Sequence, residues 1–426
     1  MQRSPWWRRP FVLLKALGPG LITGASDDDP SGIGTYAQTG AQFGYTQLWT
    51  ALFTFPLMTV IQEMCARIGL ETGGGLAEVL RKYYPKPVLY SCVFLLFVAN
   101  TINLGADLGA MAAAAQLLVP LPFLLLLVGM TVVTLSLEIF VEYKRYAKFL
   151  RLLTFSLFAY CLVVLVVKQD WGQALRNTVL PTLQFDQAYL VNLVAVLGTT
   201  ISPYLFFWQA SQEVEEDIEA GKTTLASRRG VSDIELKWMR TDVTLGMLFS
   251  NVIMWFIILT AASTLFRGGI HQIDTADKAA QALKPLAGQF ASLLFAAGIV
   301  GTGLLAVPIL AGSAAYAVAE TLRLPEGLSL SLPQAPAFYG VLALATLVGG
   351  AMNLIGINPV LALYYTAVIN GLVAPPLLLM LMFITNNRQI MHERVNGWLS
   401  NALGWLTTLA MTGAAVALLL SIAFGH

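Results

Sequence analysis

The chain is poor in charge. Asp, Glu, Lys and Arg make up 12% of its 426 residues, against roughly 25% in soluble domains. Hydrophobic residues make up 57%, and the formal net charge is only +1. This balance provides no basic surface for nucleic acid. The composition predicts an integral membrane protein, for which the lipid bilayer is the solvent.

Cysteine and histidine are also scarce, with three residues of each. The cysteines are Cys65, Cys92 and Cys161, all in apolar segments without metal-ligand spacing, which excludes a disulfide framework or a zinc site. The histidines are His271, His392 and His426, which fall in or near predicted loops. We therefore expect no histidine within the membrane as a ligand or proton carrier. No serine, cysteine or histidine constellation indicates an enzyme, and no resident cofactor is expected.

Long apolar runs dominate the remaining sequence. At about 20 residues per span, we count eleven transmembrane helices, centred near residues 24, 57, 105, 131, 157, 200, 252, 303, 345, 373 and 413. The first and sixth contain breaks, whereas the third and eighth are long. We expect no cleavable signal, because the first apolar segment is too long and continues into the fold.

The basic residues are distributed unevenly over the predicted loops. Of the 25 Lys and Arg, 20 lie in the N-terminal segment or after even-numbered spans. The five on the other side are Lys168, Arg176, Arg267, Lys278 and Lys284. The positive-inside rule then predicts a cell (inner) membrane protein with a cytoplasmic N-terminus and an external C-terminus.

Two polar interruptions lie five spans apart. Residues 27–32, Asp-Asp-Asp-Pro-Ser-Gly, interrupt the first span, which we expect to run from about Phe11 to Tyr36, and residues 199–204, Thr-Thr-Ile-Ser-Pro-Tyr, interrupt the sixth. Because five is odd, a second set of five spans enters the membrane from the opposite side, as in inverted-repeat transporters. We predict one transmembrane domain over 1–426, with a first repeat at 11–168, an inverted second repeat at 187–385, and an eleventh helix at 402–424. A proline that merely kinks a packed sixth helix is the alternative.

The chemistry at the breaks favours a hard cation. Asp29 precedes Pro30, where the chain is biased away from helix, and a carboxylate at bilayer depth must face protein, water or a cation. The Thr199 carbonyl and the Ser202 hydroxyl add oxygen ligands. Neither Cys nor Met falls in either break, so Mg²⁺, Ca²⁺ or Mn²⁺ is favoured over softer metals.

Other intramembrane polar residues allow two interpretations. Asp27 and Asp28 are suited to capping the helix that restarts after the break, although Asp28 also remains a candidate for the ion pathway. Asp107 in the third span lines the cavity or makes a buried hydrogen bond. Gln62 and Glu63 are adjacent on a helix, so at most one of them faces a pathway well.

An acidic run follows the sixth span: Glu213, Glu215, Glu216 and Asp217. We interpret it first as a solvated helix end. A cytoplasmic vestibule that attracts cations is the alternative.

Seven stretches carry a resemblance to a known family: Gly18-Pro19-Gly20, Asp29-Pro30-Ser31-Gly32, Ile61-Gln62, Ala66-Arg67-Ile68-Gly69, Thr72-Gly73, Ala106-Asp107-Leu108-Gly109 and Gly198 to Tyr204. They resemble the natural resistance-associated macrophage protein (NRAMP) transporters of divalent metals. The resemblance covers most of the first ten spans. It implies an all-α LeuT-type fold with a 5+5 inverted repeat and broken helices 1 and 6.

The departures from that family concern its metal ligands. Gly32 stands where the family has Asn, Ser202 where it has Met, and Tyr204 where it has His. Asp29 matches the remaining side-chain ligand, and the Thr199 carbonyl matches the backbone ligand. The pattern resembles the NRAMP-related magnesium transporter branch. Losing Asn and Met is expected to enlarge the cavity, which suits Mg²⁺ because that ion dehydrates reluctantly.

The hypothesis is an alternating-access carrier of a largely hydrated divalent cation, Mg²⁺, held at Asp29. Because Tyr204 does not exchange protons near neutral pH, we predict weak or absent proton coupling. The alternatives are a proton-coupled Mn²⁺ importer, a Na⁺-coupled carrier of an organic solute, and a membrane receptor without transport. The sequence leaves the oligomeric state open and is compatible with a monomer.

Overall fold

The computed structural model describes residues 18–141 and 155–424, and every regular element within them is helical. The α-helices are α1 (Pro19–Asp27), α2 (Pro30–Phe43), α3 (Trp49–Thr72), α4 (Leu76–Tyr83), α5 (Lys86–Gln116), α6 (Phe123–Phe140), α7 (Phe158–Val166), α8 (Trp171–Val179), α9 (Gln187–Thr200), α10 (Pro203–Glu219), α11 (Leu225–Arg228), α12 (Asp233–Ala261), α13 (Ala276–Ala280), α14 (Lys284–Ala287), α15 (Ala291–Leu322), α16 (Pro336–Met352), α17 (Pro359–Asn386), α18 (Arg388–Met391) and α19 (Trp398–Phe424). A π-helical turn at Ala262–Phe266 extends α12. Short 3₁₀ turns lie at Phe155–Leu157, Gln281–Leu283, Gly288–Phe290, Asn353–Ile355 and His392–Arg394.

The described helices fall at the positions of the predicted spans. Nine helical regions of the described chain are long and apolar enough to cross a bilayer. The short α1 and α2 together form the broken first span, and α7 lies at the fifth. The third and eighth spans are long, as expected, with 31 residues in α5 and 32 in α15.

Both predicted breaks are present, and each restarts at a proline. Helix α1 ends at Asp27 and α2 begins at Pro30, while α9 ends at Thr200 and α10 begins at Pro203. Proline has no N–H to donate and its ring clashes with the preceding turn, so the residue before it turns extended. Asp29 and Ser202 accordingly have ψ angles of 171° and 128°.

The first span is displaced from the sequence prediction. Its second half, α2, continues to Phe43 rather than ending near Tyr36. Residues 11–17 of the predicted span lie outside the described residues. The helix continues because 33–43 contains no proline and ends at Gly44, whose φ of 56° is in the left-handed region.

The two halves pack reciprocally. Helices α1 and α2 lie against α12, the second span of the other half, and α10 lies against α3. The two long third spans, α5 and α15, pack on each other. Such reciprocal packing accords with the LeuT-type inverted repeat, although the exact repeat boundaries stay a prediction.

Glycine brings α1 and α12 into backbone contact. A Cβ added to Gly24 would lie 2.2 Å from the Gly246 carbonyl oxygen, and one added to Gly246 would lie 2.1 Å from that of Gly20. Small residues at membrane helix contacts permit this approach. The first half of the broken span is therefore held tightly on α12.

Candidate functional site

Asp29 lies at the first break and caps α2. Its Oδ1 accepts a hydrogen bond from the Gly32 backbone N–H at 2.6 Å, and its Oδ2 accepts one from the Asn103 amide at 3.0 Å. The residue is only 2% exposed. Both oxygens are thus held in place: Oδ1 lies at the N-terminus of α2, where unsatisfied N–H groups and the helix dipole stabilise negative charge, and Oδ2 is bound by Asn103 of α5.

Asn103 of α5 connects this carboxylate to two further helices. Its Nδ2 donates to Asp29 and lies 3.4 Å from Asp107 Oδ2. Its Oδ1 accepts from the Thr366 hydroxyl at 3.1 Å and lies 3.5 Å from the Asn370 amide nitrogen, both on α17. Sequence reasoning singled out Asp107 and missed Asn103. Its position one helical turn before Asp107 was the available signal.

Asp107 is fully buried beside this network. Its Oδ1 has no hydrogen-bond partner among the described residues, and it lies within electrostatic reach of Asp29. Its Oδ2 shares the buried Asn103 amide, 3.4 Å away, and the role of Asp107 in lining the cavity stays a prediction.

Asp27 and Asp28 do not cap α2, which corrects the sequence interpretation. The Ser250 hydroxyl of α12 lies 2.7 Å from Asp27 Oδ2 and 3.3 Å from Asp28 Oδ1. The cap belongs to Asp29 because the restart at Pro30 places that residue one position before the helix. One oxygen of each of the other two carboxyl groups is buried without a partner in the described chain.

At the second break, the Ser202 side chain bonds to the carbonyl groups that the break exposes. The Ser202 hydroxyl lies 2.7 Å from the Thr199 carbonyl oxygen and 3.1 Å from that of Gly198. The Thr199 carbonyl, a predicted ligand, is therefore engaged by Ser202 in this conformation. Tyr204 donates its hydroxyl to the Ser26 carbonyl at 2.9 Å. This bond joins the second broken helix to the first.

The space at Gly32 is narrower than expected. A Cβ there would lie 2.9 Å from the Asp27 carbonyl oxygen, 3.3 Å from Asp29 Oδ1 and 3.4 Å from Thr199 Oγ1. Atoms of both breaks fill the space that a side chain at Gly32 would need. In this closed conformation Gly32 permits contact between broken helices rather than leaving an open cavity.

The centre combines four buried carboxyl groups with no basic partner among the described residues: Asp27, Asp28, Asp29 and Asp107. Burying negative charge is costly unless a cation or hydrogen bonds compensate it. No three His, Cys, Asp or Glu side chains of the described chain converge as ligands on one point. The arrangement attracts a cation but provides few direct ligands.

A thioether approaches the second break from α12. Met254 Sδ lies 3.9 Å from the Thr200 hydroxyl oxygen, and both residues are buried. The sequence prediction of a site without sulfur considered only the breaks themselves. It did not foresee this approach, because Met254 is 54 residues away from Thr200.

Gln62 and Glu63 occupy different environments on α3. Glu63 forms ion pairs with Arg67 at 3.2 Å and with Arg240 of α12 at 3.0 Å. It therefore joins α3 to α12 and is neutralised by two basic side chains. Gln62 is buried, and its side-chain oxygen has no partner in the described residues, which leaves Gln62 as the better pathway candidate.

The acidic run after the second break partly lines a cavity of about 300 Å³. Glu213, Glu216 and Asp217 face it, with Asp242 of α12. Asp242 also accepts hydrogen bonds from the backbone N–H groups of Gly18 and Gly20, at 3.1 and 2.7 Å. The vestibule alternative therefore agrees with the geometry better than a simple solvated helix end.

An all-helical bundle with a buried acidic centre between two broken helices defines a membrane transporter of the LeuT-type fold. The structure is similar to that of a manganese transporter from Eremococcus coleocola, with a TM-score of 0.74 and 17% identity, covering 99% of this chain and 88% of that one. It also resembles Mhp1, a nucleobase-cation-symport-1 family transporter, with a TM-score of 0.55 and 16% identity over 96% and 91% of the two chains.

Sequence comparison identifies the family. A family profile described as natural resistance-associated macrophage protein-like matches residues 20–421, and the chain belongs to this family. A divalent metal cation transporter, MntH, of Pectobacterium carotovorum is 26% identical over 97% of this chain and 96% of its own length. The MntH of Granulibacter bethesdensis is 24% identical over 90% and 84%.

Proposed function

We propose that this protein carries a divalent metal cation across the membrane by alternating access, with Asp29 as the charged group that holds the ion. The observation that carries the proposal is the group of four buried carboxyl groups without a basic partner in the described chain. The names of the related MntH proteins support the same substrate class.

The preferred substrate is Mg²⁺ that keeps much of its water. Mg²⁺ is commonly bound through one or two carboxylates while it retains several waters. Asp29 provides one carboxylate, and the Thr199 carbonyl and Ser202 hydroxyl oxygens are suited to accepting hydrogen bonds from coordinated water. Opening of the break must create the room for those waters, since the site is closed here.

Proton coupling is weak or absent in this proposal. Tyr204 stands at the family's histidine position and is buried against Ser26. A phenol with an ordinary pKa of about 10 keeps its proton near neutral pH. The carrier lies in the cell membrane with a cytoplasmic N-terminus.

A proton-coupled Mn²⁺ carrier is the second candidate. Met254 favours it, since thioether sulfur is a softer ligand than oxygen. The structurally similar protein from Eremococcus coleocola is named a manganese transporter, which also supports Mn²⁺ as the substrate.

Liposome flux distinguishes the two candidates. Purified protein in liposomes should take up Mg²⁺ without a pH gradient and without acidifying the lumen. Mn²⁺ uptake that Mg²⁺ does not inhibit, accompanied by acidification, would instead establish the second candidate. Met254→Leu should leave Mg²⁺ flux unchanged if the thioether does not contact the ion.

Asp29→Ala tests the site itself. Mg²⁺ uptake should be lost, because the substitution removes the charge that compensates the ion. Asp186→Ala is the matched control, since exposed Asp186 caps α9 by accepting from the Tyr189 N–H at 3.0 Å. Normal uptake by the Asp29 variant would reject the assignment.

A further inference from the structure

A second cavity, of about 660 Å³, lies away from the acidic centre. It is bounded by the end of α3, the beginning of α12 and the segment that precedes α19. Four basic residues line it: Arg67, Lys237, Arg240 and Arg394. The acidic residues lining it are Asp233 and Glu393. The cavity wall therefore carries an excess of positive charge.

Its guanidinium groups are incompletely neutralised. Glu63 is shared between Arg67 and Arg240, so one carboxylate serves two cations. Arg67 is 2% exposed, and its Nε is buried without a partner in the described chain. The Arg240 side chain is 53% exposed and engages Glu63 through Nε. No hydrogen bond from its two terminal nitrogens to another described residue is present, so both can meet an anion.

Lys237 adds a further positive charge at the edge of the cavity. Its side chain is exposed, and the described part of the chain provides it with no ion pair. Arg394, in contrast, is bound to Asp233 at 2.6 Å and to the Val231 carbonyl at 2.9 Å. Lys237 and Arg240 are thus the two cations best able to meet a ligand.

An apolar stripe continues from this cavity along α12. Leu245 lines the cavity, and Leu248 and Val252 follow at helical spacing with exposed fractions of 43% and 42%. Residues three and seven positions apart share one helix face. Trp238 and Trp398 are also exposed near this end of the bundle, where tryptophan marks the membrane interface.

We propose that this cavity binds the phosphate headgroup of an anionic phospholipid, with an acyl chain lying along Leu245, Leu248 and Val252. Basic pockets between transmembrane helices on the cytoplasmic side are suited to such headgroups. A free phosphate offers the same charge, but it would not use the apolar stripe that continues into the bilayer. The lipid assignment is independent of which ion the protein carries.

The test measures thermal unfolding of the purified full-length protein in detergent, with three additions: phosphatidylglycerol, phosphatidylcholine and inorganic phosphate. At low micromolar concentration, phosphatidylglycerol should raise the unfolding temperature more than phosphatidylcholine or inorganic phosphate does. Native mass spectrometry should show the bound phosphatidylglycerol. Equal effects of phosphatidylglycerol and phosphatidylcholine overturn the proposal, and full protection by inorganic phosphate replaces the lipid with a soluble anion.

Substitutions locate the effect. Lys237→Gln should weaken phosphatidylglycerol binding about fivefold, the worth of one basic residue near an anionic surface. Lys237→Gln combined with Arg240→Gln should weaken it about 25-fold if the two charges act independently. Lys86→Gln is the control, because Lys86 is exposed at the start of α5 and does not line the cavity. An equal loss with the control overturns the proposal, and the single exposed Lys237 substitution provides the test if the double variant does not fold.

Discussion

Asp29→Asn separates the charge of the central carboxyl group from its structural role. An amide oxygen can still accept the Gly32 N–H, so the α2 cap is retained. The new amide nitrogen would face the Asn103 nitrogen, now 3.0 Å from Asp29 Oδ2. Rotating the Asn103 amide by half a turn relieves this contact, because its oxygen then faces the new nitrogen. The rotation loses the hydrogen bond that Asn103 accepts from Thr366, which costs about 1 kcal/mol.

The loss in ion binding is larger than this structural cost. A hydrated Mg²⁺ lies about 4.8 Å from the carboxylate, the sum of a metal–water bond and a water–carboxylate hydrogen bond. Removing one negative charge then costs about 2 kcal/mol at the dielectric constant of water and about 7 kcal/mol at an effective value of 20. Mg²⁺ affinity should fall by at least about twentyfold.

Two measurements on the same preparation check this prediction. Mg²⁺ binding is titrated calorimetrically, and Mg²⁺ uptake is followed in liposomes. The unfolding midpoint without metal should stay close to that of the parent protein, because loss of repulsion from Asp107 offsets the altered hydrogen bond. Asp186→Asn should leave binding unchanged. Affinity within twofold of the parent protein would refute the assignment of Asp29 as the ion's charged partner.

Three further substitutions test other parts of the centre. Ser202→Met should shift flux from Mg²⁺ toward Mn²⁺, because it adds a thioether beside the break; an unchanged flux ratio in liposomes would contradict this. Gly32→Ala should destabilise the closed state by about 1–3 kcal/mol through overpacking and slow uptake, whereas Gly413→Ala, with nothing within 4 Å of the added Cβ, should not. Asn103→Leu should lower the unfolding free energy by about 1.5–3 kcal/mol, the worth of a hydrogen bond to a charged group; equal stability by denaturant titration would show that the Asp29 contact is dispensable.

The positions of the breaks could be predicted because their cause is local. Pro30 and Pro203 each remove a backbone donor and turn the preceding residue extended, whatever surrounds them. The helices therefore restart at those residues in the structure. The end of α2 was placed too early because its polar sequence obscured a helix that is buried inside the bundle.

The different roles of the three adjacent aspartates could not be predicted in full. Adjacent Asp27, Asp28 and Asp29 have the same chemistry, and only the packing of α12 brings Ser250 to the first two. Likewise, the sequence left open which of Gln62 and Glu63 faces the ion pathway, and the ion pair of Glu63 with Arg240, 177 positions away, bears on that choice. Such pairings depend on how helices pack, which hydropathy does not specify.

The sequence by itself determined the membrane class, the spans, the charge bias of the loops and the two breaks. Each depends on composition or on a few neighbouring residues, because the bilayer fixes span length and proline fixes the break. Only the tertiary structure decided that Asn103 holds Asp29, that Gly32 lies close to Thr199, and that basic residues of α3 and α12 share one cavity. These contacts join distant parts of the chain, so their geometry exists only after the helices have packed.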